Sequence, residues 1–322
     1  MTVKRREATA FAPATVGNAA VGYDILGFAL SEPGDRVTVK RLSEPVVEIE
    51  EVSGVVTDLP RDPAANTATV GLLEIIADLG LDFGFRVAIE KGIPLGSGMG
   101  GSAASAVASV VAASALLERE LTAEHLLHYA LAGEAVATGA RHGDNVASCL
   151  FGGLCLVRGV DPMELVKIPV PDQVRFVVVR PEYRVDTRRA RAAVPRELPL
   201  GDVVGQTANL AGFVAACHQG DLDLLGRCLE DVMIEPHRRA LIPGFDGVKD
   251  AALRAGALGA SISGAGPSVF AWCREPLMEE VASQMVAAFS AASLEATAYT
   301  GEISRAGAYV VDEKNRAKGE GR

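Results

Sequence analysis

The residues most able to do chemistry stand together in one run, Pro94-Leu95-Gly96-Ser97-Gly98-Met99-Gly100-Gly101-Ser102-Ala103. Glycines let successive backbone N–H groups turn into one concavity, and a helix starting at Ser102 adds the partial positive charge of its N-terminus. Such a place suits a phosphate, although close packing of a turn against a helix is a plainer use of the same glycines. A Walker A loop needs Gly-Lys followed by Ser or Thr, and no lysine lies between Lys91 and Lys167. Gly96, Gly98 and Gly101 do satisfy the dinucleotide-binding spacing G-x-G-x-x-G. That fingerprint also requires a strand after the helix, ending in an acidic residue. Here Glu118 closes the helical run and Thr122 starts another helix, so the strand is missing.

A second group is charged. On the helix after Thr122, Leu127, Leu131 and Glu134 fall at i, i+4 and i+7, which places Glu134 on the apolar face. A buried carboxylate needs a cation or a dense set of donors; a metal ion and an arginine such as Arg141 both qualify. The arginines Arg184, Arg188, Arg189, Arg191 and Arg196 read as a solvated segment when taken without further context. His142 taken alone reads as a hydrogen-bonded structural histidine.

Periodicity supplies the elements that must hold these groups. Phe85, Val87 and Ile89 alternate with Arg86, Ala88 and Glu90, a strand signature running into the glycine turn. The spacing then predicts a helix of small residues from Ser102 to Leu117, and a second helix capped by Thr122 and ending near Gly139. The second half begins near Val166 to Pro171. It reads as a strand over Val174–Val179, helices near Val203–Cys217 and Leu222–Val232, and a helix from Phe245 to Ala255 stopped by Gly256. Paired strands around Ala260–Ser263 and Val269–Trp272, a helix near Pro276–Ala291 and a strand near Leu294–Tyr299 complete it. The charged tail 313–322 reads as disordered.

Three motifs resemble those of the GHMP small-molecule kinases. Ile93 to Ser105 is similar to the family's phosphate-loop motif, Ala12 to Gly27 to an N-terminal motif carrying Asn18 and Asp24, and Ser261 to Ser268, with Gly264, Ala265 and Gly266, to the third motif. His142 to Ala147, Thr187 to Arg191, Glu235 to Arg238 and Leu241 to Phe245 agree in the same order, closest to members that phosphorylate L-homoserine. Departures are Met99 for the usual Leu, Gly101 for the first of two serines, and the choices Gly143 and Ser148. Gly101 puts one hydroxyl contact to phosphate in doubt and leaves Ser102 in place.

The resemblance implies an α+β, two-domain GHMP kinase fold: an N-terminal ATP-binding domain, 1–165, with a left-handed β-α-β unit, and a ferredoxin-like C-terminal domain, 166–312. It implies ATP on the glycine loop, Asn66 near the nucleoside, and Mg²⁺ held by Ser102 and Glu134, a hydroxyl and a carboxylate suited to a hard octahedral ion. It further implies that Arg191 and Arg238 bind the substrate carboxylate, with Asn18, Asp24, His142, Asn145 and Thr187 around the rest. Asp24 is the natural partner of the substrate ammonium. Some sister kinases have an aspartate base where Asn145 stands; an amide accepts no proton at neutral pH, so catalysis here rests on alignment and charge stabilisation, with Asp144 alongside as a residual candidate base. Another acceptor alcohol, or a non-catalytic ligand-binding relative, remains open at this point. A homodimer is implied by the family alone.

Composition bounds the same picture. At 322 residues and 49% hydrophobic, the chain can build two cores; its formal net charge of −10 opposes a nucleic-acid or anionic-membrane partner. The five cysteines are odd in number and lack C-x-x-C spacing, so they read as buried hydrophobes in a reducing compartment. No signal sequence or membrane span is legible, and the reading is cytoplasmic.

Overall fold

The computed structural model describes residues 5–139 and 142–311. The tail 313–322, the first four residues and Arg141 lie outside them. The first sheet is built by β1 (Glu7–Gly17), β2 (Leu26–Leu42), β3 (Val47–Gly54), β4 (Gly84–Lys91), β5 (Leu154–Val160) and β6 (Met163–Ile168), joined near the chain's end by β11 (Tyr309–Val310). Its order is β11-β1-β2-β4-β3, with β5 pairing both β2 and β6. In β4 the alternation holds, since Phe85, Val87 and Ile89 are buried in the core. β3 and β4 run parallel with α1 (Thr67–Leu79) between them in the chain, which makes the β-α-β unit.

Against this sheet pack α2 (Gly101–Ser114) and α4 (Gly143–Phe151), and α3 (Ala123–Thr138) lies against α1, α2 and α4. The small residues of α2 let it lie within the core, where most of its side chains are buried. Thr122 caps α3, accepting the His125 N–H, and Gly139 ends it in the left-handed region. A helix, not a strand, therefore follows α2, which removes the dinucleotide-binding alternative.

The second sheet holds β7 (Val174–Pro181), β8 (Gly259–Ile262), β9 (Val269–Arg274) and β10 (Ala296–Gly301), all antiparallel in the order β10-β7-β9-β8. Numbered within the sheet this is 4-1-3-2, and with α9 (Phe245–Arg254) before β8 and α10 (Met278–Ala291) before β10 it is the ferredoxin-like arrangement. The long connection from β7 carries α5 (Thr187–Ala192), α6 (Leu200–Gln219), α7 (Leu222–Cys228) and α8 (Glu235–Arg238).

Boundaries moved for local reasons. Helix α7 stops at Cys228 because Asp231 accepts the N–H groups of Met233, Ile234 and Glu235 and starts α8 instead. Strand β10 begins two residues late because Ser293, at φ 62°, and Leu294, bonded to the Phe289 carbonyl, finish α10. Strand β6 and the returning β11, where Val310 sits opposite Ala10, both belong to the first sheet. All five cysteines are buried free thiols, as their composition implied.

One ionic contact fixes the end of β4 beneath the glycine run. The Lys91 ammonium, 4% exposed, is paired with the fully buried Asp35 carboxylate of β2. Lys91 Nζ also donates to the Gly101 carbonyl (2.7 Å) and Ser105 Oγ (2.9 Å) on α2. Asp35 Oδ1 accepts the N–H groups of Gly92 (3.0 Å) and Ile93 (3.2 Å), and its Oδ2 accepts the Ser105 hydroxyl (2.7 Å). Removing one member leaves a buried charge without its counter-ion, so Lys91→Met should cost about 3–5 kcal/mol of unfolding free energy. Urea unfolding at neutral pH measures it; a loss below about 1 kcal/mol would remove the pair from the stability of this fold.

Candidate active site

The glycine run forms one wall of a cavity of about 490 Å³ between the two sheets' domains. Gly96, Gly98 and Gly100 all have positive φ, but the need for glycine is sharpest at two of them. A Cβ at Gly98 would meet the Ser263 and Gly266 carbonyls at 2.5 and 2.7 Å, and one at Gly100 would meet Thr15 Oγ1 at 2.0 Å. The third motif thus packs directly on the loop: Ser263 Oγ donates to the Gly98 carbonyl (2.7 Å) and the Ser268 N–H to the Ser97 carbonyl (3.3 Å). Helix α2 starts at this wall, and its first-turn N–H groups have no intrahelical acceptor, so they offer donors and positive potential to an anion.

Opposite the loop, the turn after β1 is strained. Asn18, Ala19 and Ala20 have φ of 68°, 39° and 63°, and Asp24 has 61°. A left-handed non-glycine residue costs roughly 1–2 kcal/mol, so the surroundings must enforce this shape. Asn18 does much of it: its Oδ1 accepts the Asp24 N–H (3.0 Å), and its Nδ2 donates to the Gly264 carbonyl (2.9 Å). The turn presents Asp24, whose two oxygens take a paired bond from Arg191 at 2.9 and 3.0 Å. His142 Nδ1 lies 3.5 Å from the same carboxylate. Arg238, 4% exposed, donates to the Ala190 carbonyl (3.0 Å), the Gly264 carbonyl (3.2 Å) and the Tyr23 hydroxyl (3.0 Å). Arg191 Nη1 reaches that same hydroxyl at 3.3 Å.

Between the two walls stand two buried carboxyls. Burial pushes Glu134 up to about 7, opposed by the Ser102 hydroxyl bonded to it, raised by the charge of Asp144 and eased by Arg191 and Lys91. Burial likewise pushes Asp144 up to about 6, with Asp24 adding to the rise and the N–H groups of Asn145 and Asn18 opposing it. Asp144 Oδ2 accepts the Asn18 N–H (3.2 Å) and the Asn145 amide (3.3 Å). Asn145 Oδ1 in turn accepts the Thr15 hydroxyl (2.8 Å), which sets the amide with its N–H₂ side toward Asp144. Burial lowers the His142 imidazolium, against the pull of Asp24.

Every residue expected around the substrate (Asn18, Asp24, His142, Asn145, Thr187, Arg191 and Arg238) lines this one cavity, as do Ser102 and Glu134. Asn66, Pro94, Leu95, Gly96, Ser97, Gly98, Gly100 and Gly101 line it too, with Gly264 and Ala265. Met99 and Ala103 turn into the core, and Gly266 contributes packing against Gly98. The Asn66 amide is held as the cap of α1, accepting the Ala68 N–H (2.9 Å) and donating to the Pro60 carbonyl (2.7 Å). Arg184, Arg188, Arg189 and Arg196 are exposed, as a solvated segment would be. Sequence reasoning missed Thr15, Tyr23, Asp35 and Lys91. A lysine just before a glycine run was visible, but its partner 56 residues earlier was not.

The GHMP kinases N terminal domain matches residues 66–153, and the GHMP kinases C terminal domain matches 213–291. The chain is 48% identical over 303 residues to the homoserine kinase of Xylella fastidiosa strain 9a5c, covering 94% of this chain and 93% of that one. It is 40% identical over 316 residues to the homoserine kinase of Chlorobium phaeobacteroides strain BS1, covering 94% and 99%. The crystal structure of homoserine kinase from Cytophaga hutchinsonii superposes with a TM-score of 0.92 at 40% identity, covering 97% and 99%.

The raised Asp144 carboxyl has a consequence for stability. Its ordinary value is 3.8 and its folded value about 6, so between these the folded chain keeps a proton that the unfolded chain releases. Relative to Asp144→Asn, the wild type should be most stable below pH 3.8 and lose on the order of 2–3 kcal/mol of that difference as pH rises to about 6, with no further change above it. Chemical denaturation of both proteins across pH 4 to 7 reads this slope; a constant difference would place the carboxyl in an ordinary solvated environment.

Proposed function

The chain belongs to the GHMP kinase family and, within it, to the homoserine kinases, and on that premise we propose how its cleft carries the reaction. The enzyme is an ATP-dependent kinase that transfers the γ-phosphoryl group to the side-chain hydroxyl of L-homoserine, a step of threonine biosynthesis. The observation that carries the assignment of roles is that the donor-rich glycine wall and the two arginines line one cavity.

In this reading the ATP phosphates lie on the backbone of Gly96 to Ser102 and the start of α2, with the nucleoside near Asn66. The donor set fits Mg²⁺: a carboxyl whose burial disfavours its charge is relieved by a cation, and Ser102 supplies a neighbouring hydroxyl oxygen. Among the described residues no cluster of three or more metal-ligating side chains exists, which suits an ion that takes its other ligands from phosphate and water. Bound there, the ion neutralises phosphate charge. Arg191 and Arg238 receive the substrate carboxylate through their remaining N–H donors, and Asp24 receives the ammonium. Asn18, His142 and Thr187 close the pocket around it. The Asn145 amide, turned donor-side toward Asp144, aligns the reacting groups and stabilises charge, and the hydroxyl proton passes to the γ-phosphate as the bond forms.

Around this centre we place a nucleotide-binding unit over 1–165, whose sheet also takes in the end of β6 and the returning β11, and a second unit over the remainder of 166–312, in a cytosolic protein that works as a homodimer without nucleic-acid or membrane partners. No helix among the described residues is long and apolar enough to cross a membrane.

A coupled ADP-release assay with homoserine, mevalonate, galactose and shikimate tests the acceptor: turnover should be largest with homoserine, and greater turnover with another alcohol would overturn the assignment. A desolvated charged hydrogen bond is worth roughly 2 kcal/mol or more, so Arg191→Ala should lose about 30-fold or more in homoserine kcat/KM with the KM for ATP nearly unchanged. Arg238→Ala should lose as much and also lower Tm, because its guanidinium ties Ala190, Gly264 and Tyr23 together. Loss confined to ATP binding would move the arginines out of the acceptor site. Glu134→Gln should keep the fold and abolish most magnesium-dependent turnover, and calorimetry should show ATP binding no longer strengthened by magnesium. Unchanged magnesium dependence would exclude Glu134 as a ligand.

A further inference from the structure

Behind the two cleft arginines stands Tyr23, a half-buried residue at the end of the strained turn and outside the cavity wall. Its hydroxyl oxygen accepts from Arg238 Nη2 (3.0 Å) and from Arg191 Nη1 (3.3 Å). Its ring faces both guanidinium carbons, 4.9 Å from Arg238 and 5.9 Å from Arg191. One side chain therefore holds two cations toward each other. Two like charges bound to one oxygen repel, so their spacing needs a group that engages both.

The two arginines are otherwise anchored unequally. Arg191 has the paired bond to Asp24. Among the described residues Arg238 has only neutral acceptors, the Ala190 and Gly264 carbonyls and the Tyr23 hydroxyl, and burial lowers its guanidinium. A buried guanidinium with no carboxylate partner leaves charge for an incoming anion to neutralise. Three of its five N–H donors are engaged by those acceptors, and two remain for a ligand. The aromatic face offsets part of the cost of holding that cation ready before the anion arrives.

We propose that Tyr23 is the positioning residue of the acceptor site: by bonding both guanidiniums through one oxygen and one ring face, it sets the spacing at which Arg191 and Arg238 receive the substrate carboxylate. This rests on the reading that the two arginines bind that carboxylate. Tyr23 acts through them and on substrate affinity, not on the phosphoryl transfer itself.

The test is Tyr23→Phe, which keeps the ring and removes the shared acceptor, assayed with homoserine and with 3-aminopropan-1-ol, the same alcohol without the carboxylate. Losing two charged hydrogen bonds that orient the clamp should raise the KM for homoserine by about 10-fold, with kcat and the KM for ATP within about twofold of wild type. Turnover of 3-aminopropan-1-ol should be unchanged, so the preference for homoserine narrows by about the same 10-fold. Tyr23→Leu, which also removes the ring, should narrow it further and lower Tm. An unchanged homoserine KM in Tyr23→Phe, or an equal loss on both acceptors, would overturn the proposal. Arg191→Lys and Arg238→Lys run beside it separate the two readings. If these narrow the preference and Tyr23→Phe does not, Tyr23 is not the positioning residue and the arginine clamp stands; if none of the three narrows it, the clamp itself is overturned.

Discussion

The glycine wall of the cleft depends on an ion pair buried beneath it. Lys91 and Asp35 neutralise each other in the core, and their remaining valences reach the four segments that shape the wall. Strand β2 supplies Asp35, β4 supplies Lys91, the turn entering the glycine run donates Gly92 and Ile93 N–H to Asp35, and α2 is held through Gly101 and Ser105. A glycine loop has little conformational order of its own, since each glycine gains freedom in the unfolded chain. Order must come from outside the loop, and a buried ion pair with satisfied lone pairs is stiff because any movement leaves a charge uncompensated.

From that anchor the cleft acquires its polarity. The loop side offers N–H donors and the start of α2; the far side offers two guanidiniums held to the turn after β1. The two walls are joined by contacts that run between domains: Gly264 N–H to the Gly17 carbonyl, Asn18 Nδ2 to the Gly264 carbonyl, and Ser263 Oγ to the Gly98 carbonyl. The third motif is thus the strut between the glycine wall and the arginines. Its glycines suit the backbone shape and close packing here: Gly264 and Gly266 have φ of 57° and 81°, and a Cβ at Gly264 would lie 3.2 Å from the Gly98 carbonyl.

Local signals carried much of this. Thr122 and Gly139 bounded α3 because a hydroxyl cap and a left-handed glycine are readable within four residues. Glu134 was placed correctly on the buried face because the helical period is regular. Strands β1 and β2 were not picked out, since Ala-rich and Pro-bearing stretches such as Ala12-Pro13-Ala14 and Glu32-Pro33 carry weak strand propensity, and pairing in the sheet overrides it. The interactions that define the site were illegible for a different reason. Thr15 meets Asn145 across 130 residues and Tyr23 meets Arg238 across 215, and no spacing rule reaches that far.

The Thr15 contact also decides what Asn145 can do. An amide has an acceptor end and a donor end that differ little in shape, so its role depends on which neighbour claims which end. Here Thr15, fully buried on β1 with its backbone N–H bonded to the Met99 carbonyl, donates its hydroxyl to Oδ1, and the Asp144 carboxylate accepts a hydrogen bond from Nδ2. Reversing the amide would leave the hydroxyl proton without this acceptor and set Oδ1 against a carboxylate, one lost hydrogen bond and one repulsive contact in a buried place. Asn145 is therefore fixed as a donor by the same strand that abuts Gly100, and Asp144 is fixed as an acceptor by the Asn18 N–H. A side chain locked in this way can align a hydroxyl or steady a phosphate oxygen, but it cannot serve as the base. Phosphoryl transfer through a loose transition state tolerates that loss, because it asks more of position and charge than of proton removal.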